Sequence, residues 1–475
     1  MINDFFNILL PQGCIAFFVF LQIILSIIAP IKFYKLARIL SLIGVSLSIV
    51  LLSTVQIEPQ YFGLRNSIMS DSYTQLFHFV ILLCGFMGIL LTQNLVKTIK
   101  TNAFTLHALI LTVIFGAMCV VSANDFLTLF ISMELLSFPL YFLIAANKDY
   151  YSKEAAFKYL ITSAVSTGVF LFGVSYIYGL SGSLNFSEIY ELEVNNDATI
   201  LYAFSGIMIV LGLLSKLSIF PFANWVIDVY KGTETSILAL LTTIPKLATF
   251  GILCRLIVFP LGNSFELTFV IALLSLITAF WANTYAIREK NVKAILACSS
   301  AANASYVLLA ASLVSVYNLS TVIFYLICYV LMNIAVFAFL NISEANKIGI
   351  NVEDFKGLFA KNQKTVLAYS LAIIGLAGFP ITSGFIAKIY LFSAIAHSGL
   401  IFIPFLLVLL ILTVIALYYY LKIITPLFNE NTNPKALITS FSQNFVLYVM
   451  VIATVFIGIY PEKLIELCRF IAYNI

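Results

Sequence analysis

The stretch Leu213-Leu-Ser-Lys-Leu-Ser-Ile-Phe-Pro-Phe222 decides what kind of molecule this chain makes. Apolar runs extend well to either side of Lys216, so its ammonium cannot snorkel to water as a lysine near a helix end does. Five residues on, Pro221 lacks an N–H and must free a backbone carbonyl in mid-segment. A charge at the centre of a bilayer costs roughly 2.5–3.5 kcal/mol on insertion scales. Broken helix is tolerated at that depth only where protein buries it or water lines it. A lysine beside a break in an apolar segment therefore reads as part of a functional site inside a membrane.

The rest of the chain has the composition such a segment requires. Its 475 residues are 62% apolar and 10% charged, with a mean hydropathy of +1.06. Water-soluble domains are nearer half apolar and a quarter charged, which excludes that class. A span needs about 20 mostly apolar residues. Fourteen such stretches can be read, centred near Phe18, Ser46, Leu82, Phe115, Ser137, Phe170, Val210, Phe250, Leu276, Ala302, Leu331, Ile374, Leu410 and Tyr448. The first lacks a basic flank and a small-residue cleavage site, so it is expected to be a span rather than a signal peptide. The stretches near Val210 and Ile374 are overlong and interrupted by proline and polar residues. The largest polar segments, Asn185–Asp197, Glu344–Lys364 and Asn429–Lys435, leave no soluble domain.

Charge placement orients the spans. Taking alternate loops, beginning after the first span, one side collects Lys32, Lys35, Arg38, Lys97, Lys100, Lys148, Lys153, Lys158, Lys231, Arg288, Lys290, Lys293, Lys347, Lys356, Lys361, Lys364, Lys422 and Lys435. These are eighteen of the 25 basic residues. The other side holds Arg65, Arg255, Lys463 and Arg469, together with the acidic cluster Glu188, Glu191, Glu193 and Asp197. The basic side is expected to be cytoplasmic, and an even span count puts both termini on the opposite side. Three basic residues remain, Lys216, Lys246 and Lys388, and each falls within a predicted span, as does one acid, Glu134.

Each of these four has a suggestive context. Glu134 lies in Ile-Ser-Met-Glu-Leu-Leu-Ser-Phe-Pro-Leu, with Pro139 just beyond it. Lys246 directly follows Pro245. Lys388 follows Gly375, Gly378, Pro380, Thr382, Ser383 and Gly384, a run that no uninterrupted membrane helix would choose. The broken spans near Lys216 and Lys388 are the seventh and twelfth. Transporters place ion sites at such breaks in corresponding positions of inverted halves, and a separation of five spans fits two inverted five-helix repeats. The expected fold is all-α and integral to the membrane, with about fourteen transmembrane helices, of which 7 and 12 are discontinuous. Its sections are 1–100 (helices 1–3), 101–260 (first repeat), 261–428 (second repeat) and 429–475 (helix 14).

The chemistry suits proton or cation movement. At an effective dielectric of about 20, an ammonium and a carboxylate about 4 Å apart attract by about 4 kcal/mol. Moving one charge against about 100 mV takes only about 2.3 kcal/mol. Making or breaking a Glu134–Lys216 pair is thus strong enough to drive transport, with Lys246 relaying inward and Lys388 exchanging with one side. The bland alternative is a set of buried salt bridges that serve packing alone.

Several segments resemble subunit N of NADH–quinone oxidoreductase, the respiratory complex I, within the antiporter-like proton-pumping membrane subunit family. They are Ser132-Met-Glu-Leu-Leu-Ser-Phe-Pro-Leu-Tyr141, Lys153-Glu-Ala-Ala-Phe-Lys-Tyr159, Lys216 to Gly232, Pro245-Lys246, Asn291-Val-Lys-Ala-Ile-Leu-Ala-Cys-Ser-Ser300 and Leu376-Ala-Gly-Phe-Pro-Ile-Thr-Ser-Gly-Phe-Ile-Ala-Lys388. The resemblance covers nearly the whole chain. No lateral helix extension follows the fourteenth span, unlike subunit L, and the twelfth span carries lysine where subunit M carries glutamate. The resemblance implies that Glu134 and Lys216 form a half-channel pair, Lys246 a central relay and Lys388 an exit site, with Lys158 and Lys293 as secondary positions on the polar axis. It also implies a bacterial-type inner membrane and other membrane and hydrophilic complex I subunits as partners, those partners carrying FMN, Fe–S clusters, NADH and quinone. Two neighbouring readings stay open: a subunit of a stand-alone multi-subunit cation/proton antiporter, and a structural membrane subuni that does not pump.

The chain departs from the family pattern at Asn224 and Asn303, where members often carry histidine. Asparagine cannot titrate, though it can hold water by hydrogen bonding. His78, His107 and His397 are single residues in or near spans and read as packing or interfacial groups rather than ligands. The seven cysteines are scattered without a CxxC pair and read as packed thiols. No dinucleotide fingerprint, P-loop, clustered metal ligands or nucleic-acid signature is present, so redox cofactors are expected on partner chains.

Overall fold

A computed structural model describes residues 2–28, 33–55, 61–63, 66–93, 95, 101–191, 199–261, 264–429 and 436–474. Its α-helices of seven or more residues are α1 (Ile2–Ile28), α2 (Tyr34–Thr54), α3 (Ser72–Leu91), α4 (Ala103–Ser122), α5 (Phe126–Ile144), α6 (Tyr150–Ser181), α7 (Thr199–Leu217), α8 (Trp225–Gly232) and α9 (Thr235–Leu241). They continue as α10 (Ile244–Val258), α11 (Phe265–Arg288), α12 (Val292–Ser312), α13 (Val316–Ala345), α14 (Gln363–Ala377), α15 (Ser383–His397), α16 (Ile403–Ile424), α17 (Phe441–Ile459) and α18 (Glu462–Tyr473). A small antiparallel hairpin, Tyr61–Gly63 against Ile68–Ser70, precedes α3.

Among the described residues, thirteen helical stretches are long and apolar enough to cross a bilayer. They match thirteen of the fourteen predicted spans. The remaining one, the twelfth, is divided into α14 and α15, each of 15 residues and joined by Gly378–Thr382. The seventh is likewise broken, since α7 ends at Leu217 and α8 resumes at Trp225. The break beside Lys216 thus lies where Pro221 was expected to put it. The eighth carries an interruption at Thr242 and Thr243 that the sequence reading did not foresee. The amphipathic α18 was not foreseen either. Of the charges used for orientation, Lys32, Arg65, Lys97, Lys100, Glu193, Asp197 and Lys435 lie outside the described residues, as do parts of the segments Asn185–Asp197 and Asn429–Lys435.

Helices start where the sequence offers a short polar side chain. Asp71, Asn102, Asp125 and Asp149 accept backbone N–H groups at the starts of α3 to α6. Asn291, Ser315 and Ser440 do the same for α12, α13 and α17. Each satisfies a donor that has no partner within the helix.

The chain divides into two compact units. The first comprises Met1–Leu217, Ile244–Ile271 and Ile471–Ile475, and the second Ser218–Thr243 and Ala272–Phe470. In the first, α5 packs on α4 and α6, α6 packs on α7, and α10 packs on α3, α4 and α7. In the second, α13 packs against α9, α12, α14, α15 and α17. Burial differs sharply between helices: only 28% of the most apolar stretch of α1 is buried, against 94% in α13 and 100% in α12. Burial this complete on an apolar helix marks an interior element.

A local pattern recurs at constant spacing in the two units. In the first, Asp125 bridges to Asn185, with Phe126 N–H donating to Leu184 O and Phe186 N–H to Asn124 O. In the second, Asn291 bridges to Asn351, with Val292 N–H donating to Ile350 O and Val352 N–H to Lys290 O. Asn291 stands 166 residues after Asp125, and Asn351 stands 166 after Asn185. The capping residues Asp149 and Ser315 keep the same 166-residue interval.

Candidate functional site

The first unit gathers a polar cluster from three helices. Glu134 and Ser137 lie three residues apart on α5, and Tyr159, Ser163 and Thr167 recur every four residues on α6. Both spacings put side chains on one helix face. Lys216, in the last turn of α7, completes the group. Its ammonium donates to Ser137 Oγ at 2.6 Å and also to Ser163 Oγ, and it lies 5.6 Å from the centre of the Tyr159 ring. Lys216 is only 4% exposed. Glu134, half-buried, accepts a 2.9 Å hydrogen bond from Thr167 Oγ1. Beside them Ser166 and Ser215 share a 2.6 Å hydrogen bond between α6 and α7.

Lys216 and Glu134 are therefore brought into one cluster around α6, each held by hydroxyls rather than by the other. The ammonium rests on two serines and the carboxylate on a threonine. Each hydroxyl can both donate and accept and so hand on a proton, although no hydrogen bond joins the two serines to the threonine. The sequence reading found the two charges and missed their partners. The signal was available in the four-residue recurrence Tyr159, Ser163, Thr167.

Lys246, in the same unit, occupies the first turn of α10 after Pro245 and is 4% exposed. Nine residues along that helix Arg255 is buried, with 1% of its side chain exposed, and pairs with Asp71 Oδ2 at 2.6 Å. Its other amino group donates to Thr74 Oγ1 and Val121 O, and its guanidinium packs over the Tyr73 ring. The sequence reading assigned Arg255 to a loop. The structure corrects this: Arg255 lies within α10, where a carboxylate, a hydroxyl, a carbonyl and an aromatic face receive its two terminal amino groups while its buried Nε has no hydrogen-bond partner. Lys158 lies half-exposed on α6, 2.7 Å from Glu154.

In the second unit Lys388 sits on α15, 8% exposed. Its ammonium donates to Leu376 O at 3.0 Å and Ala377 O at 2.9 Å. These carbonyls end α14, where unpaired oxygens and the helix dipole both favour a cation. Lys293, near the start of α12, is 3% exposed. It donates to Thr233 O at 2.9 Å and pairs with Glu344 at 3.3 Å.

Hydroxyls and amides line the interior of this unit. Tyr230 donates to Ser300 at 3.0 Å, Ser300 and Tyr329 share a 2.7 Å bond, and Asn333 donates to Tyr329 at 2.9 Å. Asn303 accepts from Tyr325 at 2.9 Å and contacts Tyr420. At the 166-residue interval these residues answer the first cluster: Ser300 to Glu134, Asn303 to Ser137, Tyr325 to Tyr159, Tyr329 to Ser163 and Asn333 to Thr167. The polar face recurs with its carboxylate replaced by a hydroxyl. Asn224, by contrast, is exposed.

His78 is held by Met118 O and Ser122, both at 3.0 Å, as a packed residue should be. His107 is buried with no hydrogen-bond partner for either ring nitrogen, so it is packed without being satisfied. His397 is exposed on the last turn of α15. None of the seven cysteines forms a disulfide, and five of them are buried. Among the described residues no group of three or more His, Cys, Asp or Glu side chains could hold a metal ion.

Residues 123–416 match the family model described as NADH:quinone oxidoreductase/Mrp antiporter, TM. A curated relative, NADH-quinone oxidoreductase subunit N of Anoxybacillus flavithermus, is 33% identical over 90% of this chain and 89% of its own length. A chain of respiratory complex I from Thermus thermophilus is 25% identical, with a TM-score of 0.82 and coverage of 96% of this chain and 98% of that one. A chain of the Mrp complex from Dietzia sp. DQ12-45-1b shares the fold, with a TM-score of 0.84 at 17% identity and coverage of 100% and 98% respectively. The chain belongs to the NADH:quinone oxidoreductase/Mrp antiporter family of multi-pass membrane proteins, in the line of subunit N.

Proposed function

We propose that this chain is a proton-translocating membrane subunit of an NADH–quinone oxidoreductase. Electron transfer from NADH to quinone takes place on partner subunits that carry FMN and Fe–S clusters; this chain supplies the translocase function and no redox chemistry. The observation that carries the reading is the Glu134–Lys216 cluster, in which a buried ammonium beside a broken helix rests on hydroxyls that can relay its proton.

In this scheme Glu134 biases the charge of Lys216 through the hydroxyls of Thr167, Ser163 and Ser137. Lys246 relays the proton inward and Lys388 releases it at the second break, from the carbonyl end of α14. Lys158 and Lys293 are secondary positions. The architecture is two inverted repeats, 101–260 and 261–428, flanked by helices 1–3 and helix 14. The 166-residue recurrence of caps, bridges and polar faces supports it. The chain lies in a bacterial-type inner membrane with both termini on the non-cytoplasmic side, among the other membrane and hydrophilic subunits of the complex.

The fold shared with the Mrp chain favours one competing reading, a subunit of a multi-subunit cation/proton antiporter. Purification of the tagged chain from its native membrane separates the two. Co-purification of flavin- and Fe–S-bearing hydrophilic chains is expected. Recovery with hydrophobic partners alone would assign the antiporter instead.

A further inference from the structure

The Lys293–Glu344 pair has no counterpart in the first unit. At the 166-residue interval its two positions answer to Leu127 and Tyr178, which are apolar or aromatic and exposed. The first unit makes the same bridge beside α5 without any such pair, so the shared fold does not require it. The pair is also lopsided. The Lys293 side chain is 4% exposed, whereas that of Glu344 is 33% exposed. One carboxylate therefore touches both the surroundings and a buried ammonium.

Its contacts join three elements of the second unit. Glu344, in the last turn of α13, offers Oε1 to Lys293 on α12. Its Oε2 accepts from the Thr235 N–H at 3.0 Å and from the Thr235 hydroxyl, at the start of α9. Lys293 also holds Thr233 O, and Thr233 returns its hydroxyl to Val229 O at 2.6 Å. Along α12, Ser300 lies seven residues, or two turns, beyond Lys293 on the same face. That residue begins the hydroxyl network with Tyr230 and Tyr329. The other charged side chains close by in the sequence are Lys347 on the same chain turn, Glu234 beside Thr235, Arg288 and Lys290 before α12, and the Lys231–Glu289 pair at 3.1 Å.

We infer that Glu344 is a proton-accepting residue that loads Lys293 from the basic-loop face and so feeds the hydroxyl network of the second unit. The inference rests on the proton-translocating reading above. The step balances in protons. An incoming proton binds the Glu344 carboxylate and removes the counter-charge of Lys293. The ammonium then gives its proton to a water or hydroxyl on the Ser300 side, and the Glu344 acid reprotonates the neutral amine. One proton enters, one leaves, and the ion pair is restored without any change of oxidation state.

A purely structural role predicts a different mutational order. Glutamine keeps the acceptor oxygen that caps Thr235 but cannot take up a proton; aspartate can take up a proton but is one methylene too short for the cap. Glu344→Gln, Glu344→Asp and Lys216→Ala are compared in the assembled complex reconstituted in vesicles, reading NADH-driven proton pumping against the amount of complex and its NADH oxidation by an artificial acceptor. The expected result is pumping about tenfold lower with Gln, at the cautious end of what a positioned proton-transfer group supplies, and at least partly restored with Asp. Wild-type pumping with Gln, or an Asp variant no better than Gln, overturns the inference, provided Lys216→Ala has lost pumping. Wild-type pumping in Lys216→Ala overturns the underlying reading instead. If the Gln variant does not assemble, Glu344→Gln with Lys293→Met removes both charges, and wild-type pumping by that double variant overturns the inference equally.

Discussion

At the scale of single residues, what decides each buried charge is the set of atoms that receives it. Lys216 is received by serines, Lys388 by helix-ending carbonyls and Arg255 by a carboxylate. Only the last is a closed ion pair, and it should behave as a structural one. Removing one partner of a buried pair costs about 3–5 kcal/mol, whereas replacing both by apolar groups costs much less. Asp71→Asn or Arg255→Met should therefore each lower the melting temperature of the purified complex sharply. The double variant Asp71→Leu/Arg255→Met should melt above either single one, as a double-mutant cycle would record. At the membrane edge, hydrogen bonding from Ser152 holds the Asp149 carboxyl below the usual carboxylate range. A lowered folded value means its contribution is present above about pH 4 and is lost as pH falls through the folded value. Asp149→Ala should cost about 1 kcal/mol of cap stability at neutral pH, and the gap to wild type should narrow in acid when amide exchange at the start of α6 is followed. The sequence exposed Lys216 and Lys388 as leftovers from a loop count, whereas it counted Arg255 among the loops. It could not show which hydroxyls receive Lys216, because serines in a span read equally well as ordinary packing.

At the scale of elements, the informative features are the breaks. Pro221 announced the end of α7, and Gly378 with Pro380 announced the gap between α14 and α15. The interruption at Thr242 and Thr243 had its signal in Pro245, which has no N–H to offer the carbonyl of Leu241, but that proline was read only as the neighbour of Lys246. Gly378 shows why the second break needs glycine. Its φ of +86° suits a residue without Cβ, and an added Cβ would sit 2.8 Å from Lys388 Cδ. Gly378→Ala should cost about 1–2 kcal/mol in backbone conformation and push the lysine off its two carbonyls, so that pumping falls further than stability does. Gly384→Ala differs in kind. Its Cβ would meet Gly375 O at 2.0 Å, an atom of the backbone. This variant should fail to assemble at normal levels, which a native gel of solubilised membranes would reveal.

At the scale of the whole molecule, composition and spacing made the membrane class and the span count legible, because every crossing must satisfy its own backbone. Much less legible was the division into two units in which Ser218–Thr243 leaves the company of α7 and α10. Chain order alone cannot show that Lys216 and Lys246 flank a segment belonging to the other unit. The proposed orientation has a direct check. Single cysteines placed at Lys364 and at Glu188, in a background lacking the native cysteines, should react with an impermeant maleimide from opposite faces of sealed vesicles, Lys364 from the cytoplasmic one. The claim on which the account rests is that the cluster of Glu134, Ser137, Ser163 and Lys216 carries protons. Proton pumping per NADH oxidised by vesicle-reconstituted complex bearing Lys216→Ala tests it most directly. Loss of NADH-driven pumping in a complex that still assembles with its hydrophilic subunits is the predicted result. Full pumping at the wild-type ratio would contradict it.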